Sequence, residues 1–534
     1  MKKIEVFNKN HPEKVGYRLD EKSAILITYP DSIVNREAPL KTLKGFLSEY
    51  IGDAINTIHI LPFFPYSSDD GFSVIDYKRV NPSVGTWEDV NRLSEEYYLM
   101  FDAVINHISA KSKWFRAFLD GSPRYRDYFI TEDPETDLSG VTRPRALPLL
   151  TEFETSDGKQ YLWTTFSEDQ IDLNFKSAKL FLEITDTLIF YVKNGASLIR
   201  LDAIGYLWKE IGTKCIHHRL THEIVKLFRD ILDALNKTVL IVTETNVPHH
   251  ENISYFGNGH DEAHMVYNFS LPPLIMNAYL QRTSIHLEEW IQSLDYPSDD
   301  STFFNFLASH DGIGIMPVKG MLDQEEINAL IERTENNGGQ ISYKTNQDGT
   351  KSPYELNINY FDALYNESSS LKDNILKFIG AYCIAFSLKG IPGLYIHSLL
   401  GSRNWYRGVE ITGQNRAINR EKLQYDELTT ELNDQASFRS RIFRRMKALL
   451  GIRKEHNAFS PLSEQRVIPY RKELLILERC SDDETIFCIV NLSSDEFQVN
   501  IEEITGKSHV LDLITRRKFE TTLTVLPYEY LWLQ

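Results

Sequence analysis

The sequence predicts an α/β protein: a (β/α)8 TIM barrel with a rim insertion subdomain and a small C-terminal all-β domain. Three observations predict it. Eight short apolar runs recur along the chain, helical patterns lie between several of them, and after about residue 455 only short β-like runs follow. Eight buried strands separated by helices are typical of a closed parallel barrel. A chain of 534 residues is also long enough for more than one domain.

Each predicted strand is an apolar run bounded by turn residues. The eight runs cover residues 24–30, 55–65, 99–107, 196–206, 238–246, 264–272, 302–312 and 390–401. Helical patterns at 179–196 and 222–236 flank the fourth run on either side. We therefore assign residues 1–107 and 173–455 to the catalytic barrel.

Two stretches interrupt this series. Residues 108–172 are too long for a simple connection and are rich in Pro, Thr and charge, and a second excursion covers about 313–370. Long insertions on a barrel rim commonly act as lids or substrate-binding subdomains. We predict an insertion domain at 108–172, a rim excursion of the barrel at about 313–370, and a C-terminal β domain at 456–534.

Charge and composition exclude some partners. The formal net charge of −17 is unsuited to a general nucleic-acid or anionic-membrane surface. The N-terminal stretch has no apolar signal region, and no run of 18 uncharged apolar residues occurs. The four cysteines are scattered without metal-ligand spacing, so we expect reduced thiols, no metal site and a cytoplasmic protein.

In most of the predicted strands the polar residues come last. His107, Asp202, Glu244, His310 and Asp311 are thereby placed at the carboxyl ends of barrel strands. Active sites of this fold are built at that rim. Only the closed barrel can bring together acids that come from three different strands.

The three acids differ in their sequence surroundings. Asp202 follows Arg200 by two residues, so the guanidinium could hold its carboxylate ionised and oriented, as a nucleophile requires. Glu244 follows the apolar run VLIVT, where partial burial would raise its pKa toward that of a general acid. Asp311, beside His310, could hold sugar hydroxyls or stabilise developing positive charge. Two carboxylates in different environments fit glycosyl chemistry.

Each feature also has a plain structural explanation. An isolated Arg-x-Asp at a strand end is more often a structural ion pair, Glu244 could be an ordinary rim residue, and Asn106-His107 more often forms a turn. Their occurrence at the ends of successive strands, in the proper order, favours a catalytic role.

Four segments resemble the conserved blocks of the α-amylase superfamily (glycoside hydrolase family 13). They are DAVINH (102–107), IRLDAIGY (199–206), TETN (243–246) and FLASHDG (306–312). The resemblance extends over essentially the whole chain and implies a retaining enzyme that acts on α-glucosides.

Longer motifs are similar to the sucrose-phosphorylase branch of that superfamily. They are IHILPFFPYSSDDGFSVIDY (58–77), RPRALPL (143–149) and IPGLYIHSLLG (391–401). Within the branch, PYSSDDGFSVIDY (65–77) and SPYELNINYFDAL (352–364) are more similar to the glucosylglycerate phosphorylases than to the sucrose phosphorylases.

The resemblance implies a role for each matching residue. Asp202 matches the nucleophile that forms a covalent glucosyl intermediate, Glu244 the general acid/base, and Asp311 the transition-state stabiliser. Residues that match groups holding the glucosyl ring are Asp69, Phe72, His107, Arg200, His310 and Arg416. Residues that match the acceptor side or its mobile loop are Phe166, Gln170, Tyr206, Tyr354 and Glu355. Arg145 matches an arginine that contacts phosphate, and Arg143 is placed to assist it.

The implied reaction converts an α-glucoside and inorganic phosphate to α-glucose 1-phosphate and a free acceptor. An arginine near the acceptor side suits it, because a guanidinium offers a planar fork to an anion. Double displacement needs no metal, and we expect no cofactor. D-glycerate is the preferred acceptor.

Alternatives remain for the substrate and the reaction. A sucrose, sucrose 6'-phosphate or glucosylglycerol phosphorylase would use another acceptor. In an α-glucosidase or transglucosidase, the arginines of 143–149 would bind no phosphate and would belong to a solvated loop. A catalytically inactive carbohydrate-binding protein is opposed by the presence of all three carboxylates.

Two departures from the branch's pattern fall on the predicted acceptor side. Asn246, His249 and His250 follow the catalytic glutamate where sucrose phosphorylases commonly differ. Met316 stands where an arginine is expected in close glucosylglycerate enzymes.

Overall fold

Eight parallel strands close into a barrel, as the sequence predicts. The structure is a computed structural model that describes residues 2–11, 15–144, 147–346 and 350–534. The barrel strands, labelled β1 to β8, are Ile25–Thr28, Thr57–Ile60, Tyr98–Ala103, Ala196–Leu201, Leu240–Thr243, Met265–Tyr267, Thr302–Phe306 and Ile391–Tyr395. Seven lie within the apolar runs named above, the third begins one residue before its run, and β8 pairs with β1 to complete the ring.

The register of β4 and β5 positions two of the predicted acids. Leu201 of β4 pairs with Thr243 of β5, so Asp202 and Glu244 both follow the last paired position of their strands. The amide of Glu244 donates to the carbonyl of Leu201 at 3.2 Å, which continues the ladder by one step. The two side chains therefore emerge side by side at the rim.

Helices follow most of the barrel strands. Among the helices are Pro39–Phe46, Trp87–Ser94, Ala178–Lys193, Arg219–Asp233, Leu271–Gln281, Ile285–Ser293, Leu371–Ser387 and Phe438–Arg453. Others are Lys2–Asn10, Lys113–Leu119, His249–Asn252, Gln324–Asn336, Tyr360–Leu364, Ile396–Leu399, Tyr406–Thr412 and Tyr425–Asn433. Serine hydroxyls at 177, 370 and 437 cap three of these helices by accepting an amide of the first turn. None of the helices in the described segments has the length and apolar character to cross a bilayer.

Both excursions form small antiparallel sheets over the rim. In the first, Thr131–Glu132 and Leu150–Thr155 pair with Gly158–Trp163, and His107–Ser109 pairs with Gln170–Asp172. In the second, Ile313–Gly314 and Gln340–Thr345 pair with Lys351–Asn357. These pairings return Gln170, Tyr354 and Glu355 to the barrel mouth.

The C-terminal region consists of two four-stranded antiparallel sheets. The first contains Glu464–Val467, Leu474–Cys480, Thr485–Asn491 and Tyr530–Leu533, and the second Phe497–Asn500, His509–Leu511, Lys518–Glu520 and Thr522–Val525. A single short helix, Ile501–Thr505, interrupts the described part of this region. Alternate residues of the first sheet point two ways: Ile476 and Ile489 enter a separate core between the sheets, whereas Leu475 and Val490 join the main core.

Candidate active site

A cleft of about 770 Å³ opens at the carboxyl ends of the barrel strands. Twelve of the predicted site residues line it: Asp69, Phe72, His107, Phe166, Gln170, Asp202, Tyr206, Glu244, His310, Asp311, Tyr354 and Arg416. The barrel, the first excursion and the second excursion each contribute residues to the cleft wall.

The predicted nucleophile and acid share one cation. Arg200 Nη1 lies 2.7 Å from Asp202 Oδ1, and Arg200 Nη2 lies 3.6 Å from Glu244 Oε2. The guanidinium is buried below the cleft floor, whereas the two carboxylates are 11% and 12% exposed. Arg200 thus fixes both acids from beneath and leaves their outer faces open to a ligand.

Two further residues, which the sequence did not single out, hold Arg200. Asp102 on β3 is in register with Arg200 on β4 and accepts a hydrogen bond from its Nη1. His59 on β2 is hydrogen-bonded to the other carboxylate oxygen of Asp102, 2.8 Å from Nε2 to Oδ2. All three side chains are buried in the barrel interior. The signal in the sequence is a charged residue within an otherwise apolar strand, because such a residue needs a buried partner.

The backbone after Asp202 supplies a donor to Glu244. Ala203 adopts a left-handed conformation, with φ of 47° and ψ of 36°. In that conformation its amide donates to Glu244 Oε2 at 3.0 Å. A left-handed alanine is uncommon and costs free energy, and such positions cluster at functional sites. The turn therefore connects the backbone that follows Asp202 directly to the side chain of Glu244.

Burial dominates the charge state of this pair. It raises the pKa of Asp202 to about 8 against the pull of Arg200, and Glu244 and Asp102 raise the pKa further. Burial also raises the pKa of Glu244. The expectation that Arg200 keeps Asp202 ionised by itself is therefore wrong, because desolvation and a neighbouring carboxylate outweigh it. Because both pKa values are raised, the pair resists carrying two negative charges at once. The shorter Arg200 contact, 2.7 against 3.6 Å, favours Asp202 as the first of the two to ionise.

Asp311 lies in a different environment. Arg416 Nη1 approaches its Oδ1 to 2.6 Å, and Arg420 Nη2 lies 3.9 Å from the same oxygen. Burial is the largest single influence and raises the pKa of Asp311, but Arg416, His310, Arg420 and Arg200 together outweigh it and hold that pKa well below its usual range. Asp311 therefore stays ionised beside two acids whose pKa values are raised.

Glu355 positions Arg416 from the second excursion. It accepts two hydrogen bonds from the guanidinium, 3.0 Å from Nε and 2.9 Å from Nη2. Glu355 is buried and does not line the main cleft, but it lines the outer mouth next to it. It thus lies behind Arg416, while Tyr354 faces the cleft.

Aromatic and polar groups form the wall opposite the acids. The rings of Phe72 and His310 stack, with centroids 4.7 Å apart and planes 4° from parallel. His107 Nε2 donates to the carbonyl of Phe72 at 2.8 Å, and burial lowers the pKa of this imidazole. The amide of Gln170 donates to Asp69 Oδ2 at 3.3 Å. A flat apolar face edged by donors and acceptors suits a pyranose ring.

The remaining part of the cleft wall includes Asn246, one of the departures noted in the sequence. Phe166 packs edge-to-face on Tyr206, with centroids 5.4 Å apart. Asn246 lines the cleft, and its buried Oδ1 has no hydrogen-bond partner among the described residues. His249 instead packs near Phe303, its ring centroid 6.0 Å away.

The positions of His250, Met316 and Pro144 complete the comparison with the sequence predictions. The side chain of His250 is 80% exposed, and Met316 begins a short 3-10 helix, Met316–Val318, without lining the cleft. Of the four departures, Asn246, His249, His250 and Met316, only Asn246 thus lines the cleft. Arg145, the predicted phosphate contact, lies outside the described residues, and its described neighbour Pro144 lines the cleft.

A buried ion pair that the sequence did not indicate joins the first excursion to the barrel. Lys209 Nζ lies 2.5 Å from Asp172 Oδ2 and donates to Asn106 Oδ1 at 2.7 Å. Asp172 pairs in register with His107 of the cleft. The three-residue contact therefore fixes the strand from which His107 projects.

Comparison with known proteins agrees with this geometry. The sequence signature of the α-amylase catalytic domain matches residues 40–330. The chain belongs to the α-amylase family.

Three known proteins are similar to this chain over most of its length. The glucosylglycerate phosphorylase of Spirochaeta thermophila is 50% identical, covering 96% of this chain and 90% of the relative. That of Escherichia coli is 45% identical, covering 96% and 92%. The crystal structure of sucrose 6F-phosphate phosphorylase from Thermoanaerobacter thermosaccharolyticum superposes with a TM-score of 0.78 at 25% identity, covering 89% of this chain and 95% of the other.

Proposed function

We propose that this protein is a retaining glucosylglycerate phosphorylase. It converts glucosylglycerate and inorganic phosphate to α-D-glucose 1-phosphate and D-glycerate, as a hexosyltransferase. The observation that supports this most strongly is the pair Asp202 and Glu244, two acids that contact the same buried Arg200 and line one cleft. The 45% and 50% identity to glucosylglycerate phosphorylases over 96% of the chain supports the acceptor.

In the first step Glu244 gives its proton to the glycosidic oxygen while Asp202 attacks the anomeric carbon. The bond from that carbon to glycerate breaks, glycerate leaves as the alcohol, and an ester to Asp202 forms. The left-handed Ala203 amide and Arg200 hold Glu244 in position for the transfer.

In the second step a phosphate oxygen attacks the same carbon from the side that glycerate left. Glu244 takes up the phosphate proton, the ester bond breaks, and its electrons return to the Asp202 carboxylate. Two inversions give α-glucose 1-phosphate. Asp311, ionised throughout, stabilises the positive charge that develops on the ring, and Arg416 orients it.

Water must compete poorly with phosphate for the glucosyl ester. We assign to Arg145, assisted by Arg143, the contact with phosphate and, in turn, with the carboxylate of glycerate. The presence of Pro144 in the cleft wall supports this, because Pro144 directly precedes Arg145 in the chain. The insertion, residues 108–172, would then supply the side chain that contacts the anion.

The proposed substrates are small molecules, with no nucleic acid or membrane and no cofactor. The thiols of Cys215, Cys383, Cys480 and Cys488 are unpaired. Unpaired thiols fit a reducing compartment, which supports a cytoplasmic enzyme.

The test supplies α-glucose 1-phosphate and follows phosphate release with D-glycerate, glycerol, fructose, fructose 6-phosphate or no acceptor. Fast release with glycerate alone is the expected result. Preference for another acceptor would overturn the substrate, and equally fast release without acceptor would overturn the phosphorylase.

A matched pair of variants tests the anion contact. Arg145→Gln should raise the KM for phosphate and for glycerate together, because one cation serves both. Arg126→Gln, an exposed arginine of the same excursion, should leave both constants unchanged. Unchanged constants in Arg145→Gln would contradict the assignment.

A further inference from the structure

A second cavity, of about 510 Å³, lies away from the catalytic cleft. It is bounded by the helices Leu271–Gln281, Gln324–Asn336 and Leu371–Ser387 and by the turn before the last strand. None of the residues that line it also lines the cleft. Three cationic side chains face it, namely Arg282, Arg333 and Lys377.

Lys377 has no anionic partner in the described part of the chain. It is only 4% exposed, and its Nζ lies 5.2 Å from the centroid of the Tyr528 ring. Burial and Arg333 lower its pKa to about 8, Arg282 adds to this, and Asp373 opposes it. A buried ammonium group among like charges is costly unless an anion joins it.

A second polar group in the cavity is also unpartnered. The hydroxyl of Tyr279 is buried and has no hydrogen-bond partner among the described residues. Tyr279 is 8% exposed and contributes to the cavity wall beside Lys377. This hydroxyl lies against Gly380 of the helix Leu371–Ser387 and is closed to solvent, so Tyr279 helps to form the wall and is not a donor to a ligand.

The two arginines lie nearer the outside. Arg282 is exposed at the end of Leu271–Gln281, and half-buried Arg333 donates from Nη1 to the carbonyl of Tyr365 at 3.2 Å. One carbonyl uses only part of the donor fork of Arg333, because a guanidinium has five N–H groups. An anion in the cavity could therefore meet guanidinium donors at the mouth and Lys377 deeper inside.

We propose that this cavity binds a small phosphate-bearing anion at a site separate from catalysis. Three positive groups suit the double charge and several acceptor oxygens of a phosphate group better than a single carboxylate. The proposal does not depend on the proposed function, because it concerns a different cavity.

The test compares wild type with Lys377→Met, and uses Lys372→Met, an exposed lysine of the same helix, as the control. Without phosphate, Lys377→Met should have a higher Tm than wild type, because an unpaired buried charge is removed. With inorganic phosphate, the Tm of wild type and of Lys372→Met should rise clearly more than that of Lys377→Met. An equal rise in all three proteins would overturn the proposal.

Calorimetric titration separates the two cavities and the source of the anion. Wild type should take up one more equivalent of inorganic phosphate or α-glucose 1-phosphate than Lys377→Met, whatever binds in the cleft. Failure of the proposed function would leave this difference intact. Equal stoichiometry, or a difference seen with glycerate but with neither phosphate compound, would contradict a phosphate site.

Discussion

Arg200 Nη1 lies 2.7 Å from Asp202 Oδ1 while its Nη2 faces Glu244, so one buried guanidinium connects the two acids of the cleft. The same group is held from below by Asp102 and, through it, by His59. The network runs across four barrel strands and ends at the ligand-facing surface. Its geometry is fixed before any substrate binds, which is what electrostatic stabilisation of a transition state requires.

Replacing this guanidinium should therefore affect both stability and catalysis. Arg200→Lys supplies one compact charge instead of a planar fork and cannot contact Asp102, Asp202 and Glu244 together. We expect a loss of about 3 kcal/mol in the free energy of unfolding and a kcat lower by about 100-fold or more. Denaturant unfolding and kinetics with α-glucose 1-phosphate measure the two effects. Wild-type kcat in the lysine variant would contradict the bridging role.

Asp202→Asn should abolish turnover and yet stabilise the fold. The folded-state pKa of about 8 lies above that of an unfolded aspartate, so wild type loses stability as pH rises between these values. The variant lacks this loss. Its advantage should be absent below about pH 4 and should reach a few kcal/mol above about pH 8. Unfolding curves at several pH values test this, with exposed Asp157→Asn as the control. An Asp202→Asn protein less stable than wild type at pH 8 would contradict it.

The activity should fall on the alkaline side of its pH profile, because Asp202 and Glu244 titrate there. Once the pH exceeds the raised pKa of Glu244, this residue loses the proton that it needs as an acid, so kcat/KM for the natural glycoside should fall tenfold per pH unit. Asp311 contributes no limb in this range, because its pKa is held far lower. Glu244→Gln, tested on α-glucosyl fluoride, should show no alkaline limb in the first release of fluoride. Persistence of the limb in that variant would place the titration elsewhere.

The left-handed turn at position 203 offers a conservative test. Ala203→Gly adopts this conformation readily and should keep activity within about threefold. Ala203→Val places a β-branched residue at positive φ, which should cost about 1–3 kcal/mol and displace the amide that holds Glu244. We expect a kcat in the valine variant at least tenfold below that in the glycine variant. Equal kcat values would show that the amide contact is dispensable.

The contact between Lys209 and Asp172 should be strongly coupled. Removing one partner leaves the other charged and buried, so Lys209→Met should lose about 3–5 kcal/mol of unfolding free energy. The double variant Lys209→Met/Asp172→Asn should recover much of this loss, because neither charge remains. A double-mutant cycle by denaturant unfolding measures the coupling. Additive losses would contradict a buried pair.

Much of the fold followed from strand-end patterning. The eight apolar runs predicted all eight barrel strands, because a parallel strand that is buried on both faces needs an unbroken apolar sequence. The three acids could be assigned to one rim for the same reason, since the polar residues follow the apolar part of each run. Helix positions were also close: the pattern at 222–236 corresponds to Arg219–Asp233.

The charge states of the site could not be predicted in this way. Arg200 was expected to hold Asp202 ionised, but burial and the approach of Glu244 depend on the folded geometry of two strands. The supporting residues Asp102 and His59 were missed because each belongs to an apolar run that already had an explanation as a strand. Lys209 was missed because its partner Asp172 is distant in sequence and is brought near by the excursion.

The central claim is that Asp202 takes the glucosyl group. Incubating Glu244→Gln with α-glucosyl fluoride tests it most directly, because fluoride leaves without an acid and the missing base slows breakdown of the ester. Mass spectrometry of the digested protein should find one glucosyl unit on the peptide that contains Asp202, and none in the Asp202→Asn/Glu244→Gln double variant. Fluoride release with no adduct, or with the sugar on another residue, would contradict the account.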